Sequence, residues 1–131
     1  MTLNVAIAGL GAIGLRLANM IDSGAVDGVR LSAVSARDLS RAEERVASLS
    51  HRPDVVTLRE LPAHANVIVE CAPASVFVEV ARPAIEQGRI FMPLSVGALL
   101  DHMDLVEEAV HTGARIIVPT GALIGLDTVR A

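Results

Sequence analysis

The sequence predicts a single α/β domain built on a doubly wound parallel sheet. Six short apolar runs alternate with helical stretches along the 131 residues, which is the spacing expected of βαβ units. Hydrophobic residues make up 52% of the chain and charged residues 20%. Strands that helices cover on both faces require such apolar sequence. The length fits one domain of ordinary size, so we expect residues 1–131 to form one domain.

Six apolar runs bounded by turn-forming residues predict the strands. They are Leu3–Ala8, Val29–Ser35, Val55–Leu58, Asn66–Cys71, Ile90–Ser95 and Arg115–Val118. The third run is the weakest because it is the shortest. Pro93 in the fifth run predicts a bend or a sparsely paired position, since proline has no N–H group to donate.

Helical periodicity and end signals predict the helices between these strands. They are Ala12–Asp22, Ala42–Leu49, Ser75–Gln87, Asp101–Thr112 and a last helix that begins within Ala122–Ala131. In the first helix, one apolar face is expected to pack on the sheet (Ile13, Leu17, Met20 and Ile21). Ser40 and Glu43 match a capping box at the start of the second helix, and Asp101 is expected to cap the fourth.

Composition argues against several classes of function. The net charge is −4, all 11 basic residues are arginine, and there is no Trp or Tyr, so we expect no nucleic-acid partner. The longest apolar runs, Val5–Leu15 and Ile90–Leu100, are shorter than the roughly 20 residues that span a bilayer. We therefore expect no membrane segment. The N-terminus lacks the basic region of a signal peptide, and one cysteine cannot form an internal disulfide, so a cytoplasmic location is expected.

A glycine-rich turn follows the first predicted strand. Gly9, Gly11 and Gly14 form a G-x-G-x-x-G motif, with Ala12 and Ile13 at the mouth of the first helix. Such a turn brings free backbone N–H groups and the positive end of the helix dipole against a diphosphate. The motif in this position predicts a Rossmann-type domain that binds NAD or NADP. The alternative is a glycine-rich turn without a ligand.

The end of the second strand bears on the choice between the two coenzymes. NAD sites usually place an acidic residue there to accept from the ribose 2′-hydroxyl. Here Ala36 takes that position, between Ser35 and Arg37. An arginine without an adjacent carboxylate favours a 2′-phosphate and hence NADP, or use of both coenzymes. The alternative is that Arg37 is solvated and that Asp38 takes the ribose.

Three stretches together resemble the L-aspartate dehydrogenase family. They are Gly9-Leu10-Gly11-Ala12-Ile13-Gly14, Ser95-Val96-Gly97-Ala98-Leu99 and Pro119-Thr120-Gly121-Ala122-Leu123-Ile124-Gly125-Leu126-Asp127. Val69-Glu70-Cys71-Ala72 is also similar. The resemblance covers the entire chain but only the N-terminal coenzyme domain of the family. Members continue into a substrate domain that carries the catalytic histidine, so we expect no catalytic residue in residues 1–131.

The resemblance implies a reaction and a set of coenzyme contacts. The reaction is oxidation of L-aspartate to iminoaspartate with NAD or NADP, and iminoaspartate either feeds NAD biosynthesis or hydrolyses to oxaloacetate and ammonia. By the same resemblance, Ala72 and Pro73 lie along the ribose or the diphosphate. Ser95, Val96 and Gly97 line the nicotinamide side, and Ala122 contacts the coenzyme. The isolated chain is expected to bind coenzyme weakly or not at all and to be inactive with aspartate.

The remaining polar residues predict no second site. His102 and His111 are nine residues apart on one predicted helix and therefore face opposite ways, so they cannot form a metal pair. Cys71 is expected to be a small buried residue rather than a nucleophile. We expect a homo-oligomer, since a coenzyme domain without its substrate domain exposes apolar surface. Alternative functions are a non-catalytic nucleotide-sensing module and the coenzyme domain of another two-domain dehydrogenase.

Overall fold

The structure is a computed structural model that describes residues 1–119. Its strands are β1 (Leu3–Ala8), β2 (Val29–Ser35), β3 (Asp54–Val55), β4 (Val67–Glu70), β5 (Ile90–Pro93) and β6 (Arg115–Ile116). Its helices are α1 (Ala12–Asp22), α2 (Leu39–Val46), α3 (Leu61–His64), α4 (Phe77–Glu86), α5 (Val96–Leu100) and α6 (Asp104–Thr112). Short 3₁₀ turns occupy Leu58–Glu60 and Ala74–Val76.

The strands form one parallel sheet in the order β3-β2-β1-β4-β5-β6. The strand order reverses between β1 and β4, and ligands of such sheets bind in the crevice beyond the carboxyl ends of the strands at that point. Ala8 at the end of β1 is in register with Ser35 of β2 on one side and Glu70 of β4 on the other. The predicted doubly wound sheet is confirmed, and the loops that follow these three strands leave the sheet side by side.

The hydrophobic core lies in two layers, one on each face of the sheet. On one face, α4 packs on β4 and β5, and α6 packs beside α4 on the edge strand β6. The rings of Phe77 and Phe91 meet edge to face at 5.7 Å. On the other face, α1 and α2 cover β1 and β2, with Ile7 and Val46 fully buried. Both faces of the inner strands are therefore apolar, as the sequence predicts for a covered parallel sheet.

The start of α2 differs from the prediction. The helix begins at Leu39, and its cap is Asp38, whose Oδ1 accepts a hydrogen bond from the Arg41 N–H group at 3.2 Å. Ser40 is thus inside the helix, and the predicted capping box at Ser40 and Glu43 is wrong. A carboxylate is the better cap because its charge also favours the positive end of the helix dipole.

The connection between β5 and β6 contains two helices where one was predicted. Val96–Leu100 forms α5, which ends at Asp101, and α6 begins only at Asp104. The prediction that Asp101 caps a single helix is therefore wrong, and His102 lies in the turn between the two helices. Several strands are also shorter than predicted, because their last residues turn away into the loops at the carboxyl edge. The largest difference is β3, where Leu58 already belongs to a 3₁₀ turn.

Only part of the predicted apolar face of α1 is buried. Ile21 packs in the core beside Gly14 and Ala18, whereas Ile13 is 66% exposed and Met20 is 43% exposed. These side chains line an apolar groove of about 740 Å³ between α1 and the sheet, which Val67, Val69, Ile90 and Met92 also line. The buried residues of α1 are Gly14, Ala18 and Ile21, two of which are small. The predicted helix within Ala122–Ala131 lies outside the described residues.

Candidate functional site

The glycine turn after β1 is held against the loop after β4. Gly9 has a φ of +99°, and a Cβ atom there would lie 2.6 Å from the Cys71 carbonyl oxygen. A Cβ atom on Gly14 would lie only 1.8 Å from the Gly9 carbonyl oxygen. The first glycine thus permits the left-handed turn, and the third permits α1 to begin directly beside it.

The second glycine leaves open space at the start of α1. A Cβ atom on Gly11 would meet nothing within 4 Å, and Gly11, Ala12 and Ile13 are all exposed. Gly11 is the N-cap residue and offers no side chain to the first N–H groups, and the first turn of α1 contains no acidic residue. An uncapped helix start of this kind is suited to an anion. The residues present therefore fit the diphosphate of a dinucleotide.

Two cavities of about 490 Å³ each flank this turn at the carboxyl edge of the sheet. Both are lined by the loops that follow β1, β2 and β4; the shared lining residues are Gly9, Ala36, Arg37, Ala72 and Pro73. One cavity, here called the outer cavity, extends toward β3 and the 3₁₀ turns and also contacts Ser35. The other, the arginine cavity, extends over Gly11 toward α2. The structure thus brings seven of the predicted site residues to these cavities (Gly9, Gly11, Ser35, Arg37, Ala72 and Pro73 line them, and Gly14 shapes the turn).

Three arginines line the arginine cavity. Arg37 follows β2, and Arg41 and Arg45 stand one helical turn apart on α2. Arg45 donates a hydrogen bond to the Leu10 carbonyl oxygen and so joins α2 to the glycine turn. Within residues 1–119, none of the three guanidinium groups forms an ion pair. Of the three, only Arg37 was predicted from the sequence as a site residue. The i, i+4 spacing of Arg41 and Arg45 on one helix was the signal that could have identified the other two.

Glu70 connects the loop after β4 to the loop after β5, and it was not predicted from the sequence as a site residue. This carboxylate is fully buried. Its Oε1 atom accepts from the Ser95 N–H group, and its Oε2 atom accepts from the Ala72 N–H group and the Ser95 hydroxyl, each at 2.9 Å. The signal in the sequence was an acidic residue at the end of an apolar strand.

The remaining predicted contacts are more distant from the two cavities. Ser95 lies beside Ala72, with its Oγ atom 3.4 Å from the Ala72 carbonyl oxygen. Val96 and Gly97 begin α5 and line neither cavity. Ala12 and Ile13 also line neither of the two cavities; they line the apolar groove between α1 and the sheet. Ala122 lies outside the described residues.

The surroundings of the cysteine and of two histidines are typical of structural rather than catalytic residues. Burial, together with the nearby Glu70 charge, raises the pKa of the Cys71 thiol to about 12, so the thiol stays protonated at neutral pH. His51 lies 3.6 Å from Asp22, and the His102 ring stacks on Phe77. In the part of the chain that the structure describes, no three potential metal-ligating side chains converge.

Comparison with known proteins decides the family. The sequence profile described as "Homoserine dehydrogenase, NAD binding domain" matches residues 9–119, which is most of the chain. The chain belongs to this NAD-binding domain family. The matched region contains the glycine turn, the arginine cavity and the loops joined by Glu70.

The resemblance to L-aspartate dehydrogenases is confirmed by sequence. "L-aspartate dehydrogenase 3" of Bordetella bronchiseptica is 50% identical over 129 residues, covering 98% of this chain and 47% of that protein. "L-aspartate dehydrogenase" of Bradyrhizobium diazoefficiens is 46% identical, covering 98% of this chain and 45% of that protein. The chain therefore spans about half the length of the curated relatives that it matches.

Solved structures confirm the fold. A probable dehydrogenase from Thermotoga maritima superposes with a TM-score of 0.74 at 17% identity, covering 88% of this chain and 35% of that one. Scyllo-inositol dehydrogenase from Lactobacillus casei, solved with NAD(H) and scyllo-inositol, gives a TM-score of 0.71 at 14% identity, covering 90% of this chain and 36% of that one. At such identities the likeness establishes the Rossmann-type fold alone. Among the helices of residues 1–119, none has the length and apolarity that crossing a bilayer requires.

Proposed function

We propose that this chain is the coenzyme-binding half of an NAD(P)-dependent L-aspartate dehydrogenase. The observation that carries the proposal is the uncapped start of α1, with open space at Gly11 between the loops after β1, β2 and β4. The identity of about one residue in two to proteins named L-aspartate dehydrogenase supports the substrate. Residues 1–131 form the coenzyme domain in this proposal, and the catalytic and substrate-binding groups belong to the half that the relatives carry beyond the matched region.

The proposed contacts follow the loops at the carboxyl edge. The N–H groups of Gly11, Ala12 and Ile13 hold the diphosphate, with Gly9 and Gly14 shaping the turn. Ala72 and Pro73 face the adjacent ribose. Ser95, Val96 and Gly97 approach the nicotinamide side, together with Ala122. The residues of this chain would hold and orient the nicotinamide, which would supply the hydride acceptor for the substrate carbon.

A domain swap tests the coenzyme half. This chain replaces the matching half of the Bordetella relative, to which it is 50% identical. We expect the chimera to reduce NADP⁺ or NAD⁺ with L-aspartate, seen as absorbance of the reduced nicotinamide, while the 131-residue chain alone gives no turnover. A folded chimera that binds neither coenzyme contradicts the proposal. Clear turnover of aspartate by the isolated chain contradicts the division into two halves.

We further propose that the site accepts the 2′-phosphate of NADP. Asp38 uses its carboxylate to cap α2, and Ala36 has no acceptor for a ribose hydroxyl. Arg37 and Arg41 instead line the cavity with two guanidinium groups that form no ion pair within residues 1–119, and Arg45 adds a third. Arginine binds phosphate through paired, charge-assisted hydrogen bonds, which an NAD ribose cannot supply.

The coenzyme preference is testable with fragments of the two coenzymes. We expect 2′,5′-ADP to bind the chain at least about tenfold more tightly than 5′-ADP, a difference of roughly 1.4 kcal/mol. Arg41→Ala should remove most of that difference, because it removes a phosphate partner. Arg30→Ala is the matched control, since Arg30 is exposed and lines neither cavity. Equal affinity for the two fragments contradicts the proposal.

We also propose that the chain self-associates in the cytoplasm through the apolar groove beside α1. Exposed Ile13 and Met20 form one side of the groove, and the sheet residues Ile90 and Met92 form the other. Association of two such grooves removes apolar surface from water. Light scattering should show a dimer or larger species for the chain and a monomer for Met20→Glu. A wild-type chain that stays monomeric at high concentration contradicts the proposal.

A further inference from the structure

The chain contains a buried acidic side chain whose burial is not explained by coenzyme binding at the glycine turn. Glu70 ends β4, is fully buried, and has no cationic partner within residues 1–119. Burying a carboxylate is unfavourable unless every lone pair finds a donor. Apolar replacements of buried charges are often as stable as the native residue, so stability alone does not account for Glu70.

The hydrogen bonds of Glu70 reach two different loops. Its Oε2 atom accepts from the Ala72 N–H group two residues along its own loop. Both carboxylate oxygens also accept from Ser95, one from the N–H group and one from the hydroxyl. All three partners are donors, so each oxygen acts only as an acceptor. One side chain thereby fixes the distance between the loop after β4 and the loop after β5.

The loop after β4 in turn packs on the glycine turn. The space that a Cβ atom on Gly9 would need is filled by backbone atoms of Cys71 and Ala72, the latter at 3.0 Å. A shift of Ala72 would therefore change the backbone contact between the loop after β4 and Gly9. Ala72 and Pro73 also line both cavities at this edge. The contacts run without interruption from Ser95 through Glu70 and Ala72 to Gly9.

We propose that Glu70 is a positioning residue of the coenzyme site, which sets the loop after β5 against the glycine turn before the coenzyme arrives. This inference rests on the proposed coenzyme-binding function. Loops held in their bound arrangement lose less conformational entropy on binding, so preorganisation appears directly in the dissociation constant. Glu70 touches neither cavity, and it acts only through Ala72 and Ser95.

The test compares coenzyme affinity with stability in three variants. Glu70→Gln replaces one acceptor oxygen with an N–H₂ group that faces other donors, so we expect NADP⁺ to bind about tenfold more weakly. Ser95→Ala removes one of the three hydrogen bonds and should weaken binding by roughly threefold. Ile85→Val is the control, because Ile85 is buried in α4 and lines neither cavity.

Each variant is measured by NMR titration with NADP⁺, by urea unfolding without coenzyme, and by hydrogen exchange at the Ala72 and Ser95 amides. We expect Glu70→Gln to lose protection at these two amides and to lose affinity, while Ile85→Val lowers only the unfolding midpoint. Unchanged affinity in folded Glu70→Gln overturns the inference. The inference is also overturned if Ile85→Val loses as much affinity for NADP⁺ as Glu70→Gln does when the two variants have the same shift in unfolding midpoint. If the wild-type chain gives no saturable binding, the same variants are titrated in the chimera, and a folded wild-type chimera that binds neither coenzyme means that the proposed function itself fails, which is a different result.

Discussion

Two alanine substitutions in the glycine turn should separate coenzyme binding from folding. Gly11 has a φ of −73°, and a Cβ atom there meets nothing within 4 Å, so Gly11→Ala fits the free protein. Glycine is a better N-cap residue than alanine by up to about 1 kcal/mol, so the free energy of unfolding should fall by no more than about that amount. The added methyl group enters the space proposed for the diphosphate. We therefore expect NADP⁺ to bind at least about tenfold more weakly, or roughly 1.4 kcal/mol.

Gly14→Ala should have the opposite signature. Its Cβ atom would lie 1.8 Å from the Gly9 carbonyl oxygen, a backbone atom that cannot turn away. Overpacking of this kind destabilises by about 1–3 kcal/mol, which outweighs the gain of about 1 kcal/mol in helix propensity. Urea unfolding measures stability, and NMR titration of the folded fraction measures affinity. The reasoning is refuted if Gly11→Ala binds NADP⁺ as tightly as the wild type, or if Gly14→Ala is as stable as the wild type.

Further predictions concern groups outside the glycine turn. The pKa of the Cys71 thiol is raised to about 12 from 9.0, so only a small fraction of the folded chain carries the reactive thiolate at pH 8. Iodoacetamide at that pH should therefore alkylate the folded chain roughly a thousandfold more slowly than the urea-unfolded chain. Equal rates of alkylation would refute the burial of Cys71. The same shift stabilises the protonated folded state, so stability should decline as pH rises above 9.0, and Cys71→Ala should remove that decline. Hydrogen bonds from the N–H groups of Ser50 and His51 lower the pKa of Asp22 below 3.8, so Asp22→Asn should be less stable than the wild type at pH 7. The difference in stability between the two proteins should vanish as the pH falls below 3.8, and a difference that persists at low pH would contradict this reasoning. Phe77→Ala should destabilise by about 3–5 kcal/mol in urea unfolding, since the ring is fully buried against Phe91, and a loss below 1 kcal/mol refutes the packing.

The sequence predicted the features that depend on neighbouring residues. Apolar runs located five strands and overlapped the sixth, β3, only at Val55, and the glycine spacing located the turn before α1, because both signals are local. The break between α5 and α6 was missed because Asp101 has the residue type of a helix start, whereas in the structure it follows the end of α5. Similarly, the competition between Asp38 and Ser40 for the cap of α2 was decided by one hydrogen bond.

The features that depend on tertiary contacts could not be predicted. Glu70 and Ser95 are 25 residues apart, and only the pairing of β4 with β5 brings them together. Arg45 reaches the glycine turn because α2 packs beside it, a contact over 35 residues. The exposure of Ile13 was also not predicted, because helical periodicity does not show that the small Gly14 and Ala18 share the buried face of α1 with Ile21.

Amide chemical shifts of the chain during titration with NADP⁺ test the central claim most directly. If the diphosphate rests on the start of α1, the largest saturable changes fall on Gly11, Ala12 and Ile13. Repeating the titration with NAD⁺ should leave those changes in place and lessen the ones at Arg37 and Arg41. Saturable changes confined to other parts of the chain contradict the account. So does the absence of any saturable change with either coenzyme both in the chain alone and in the chimera.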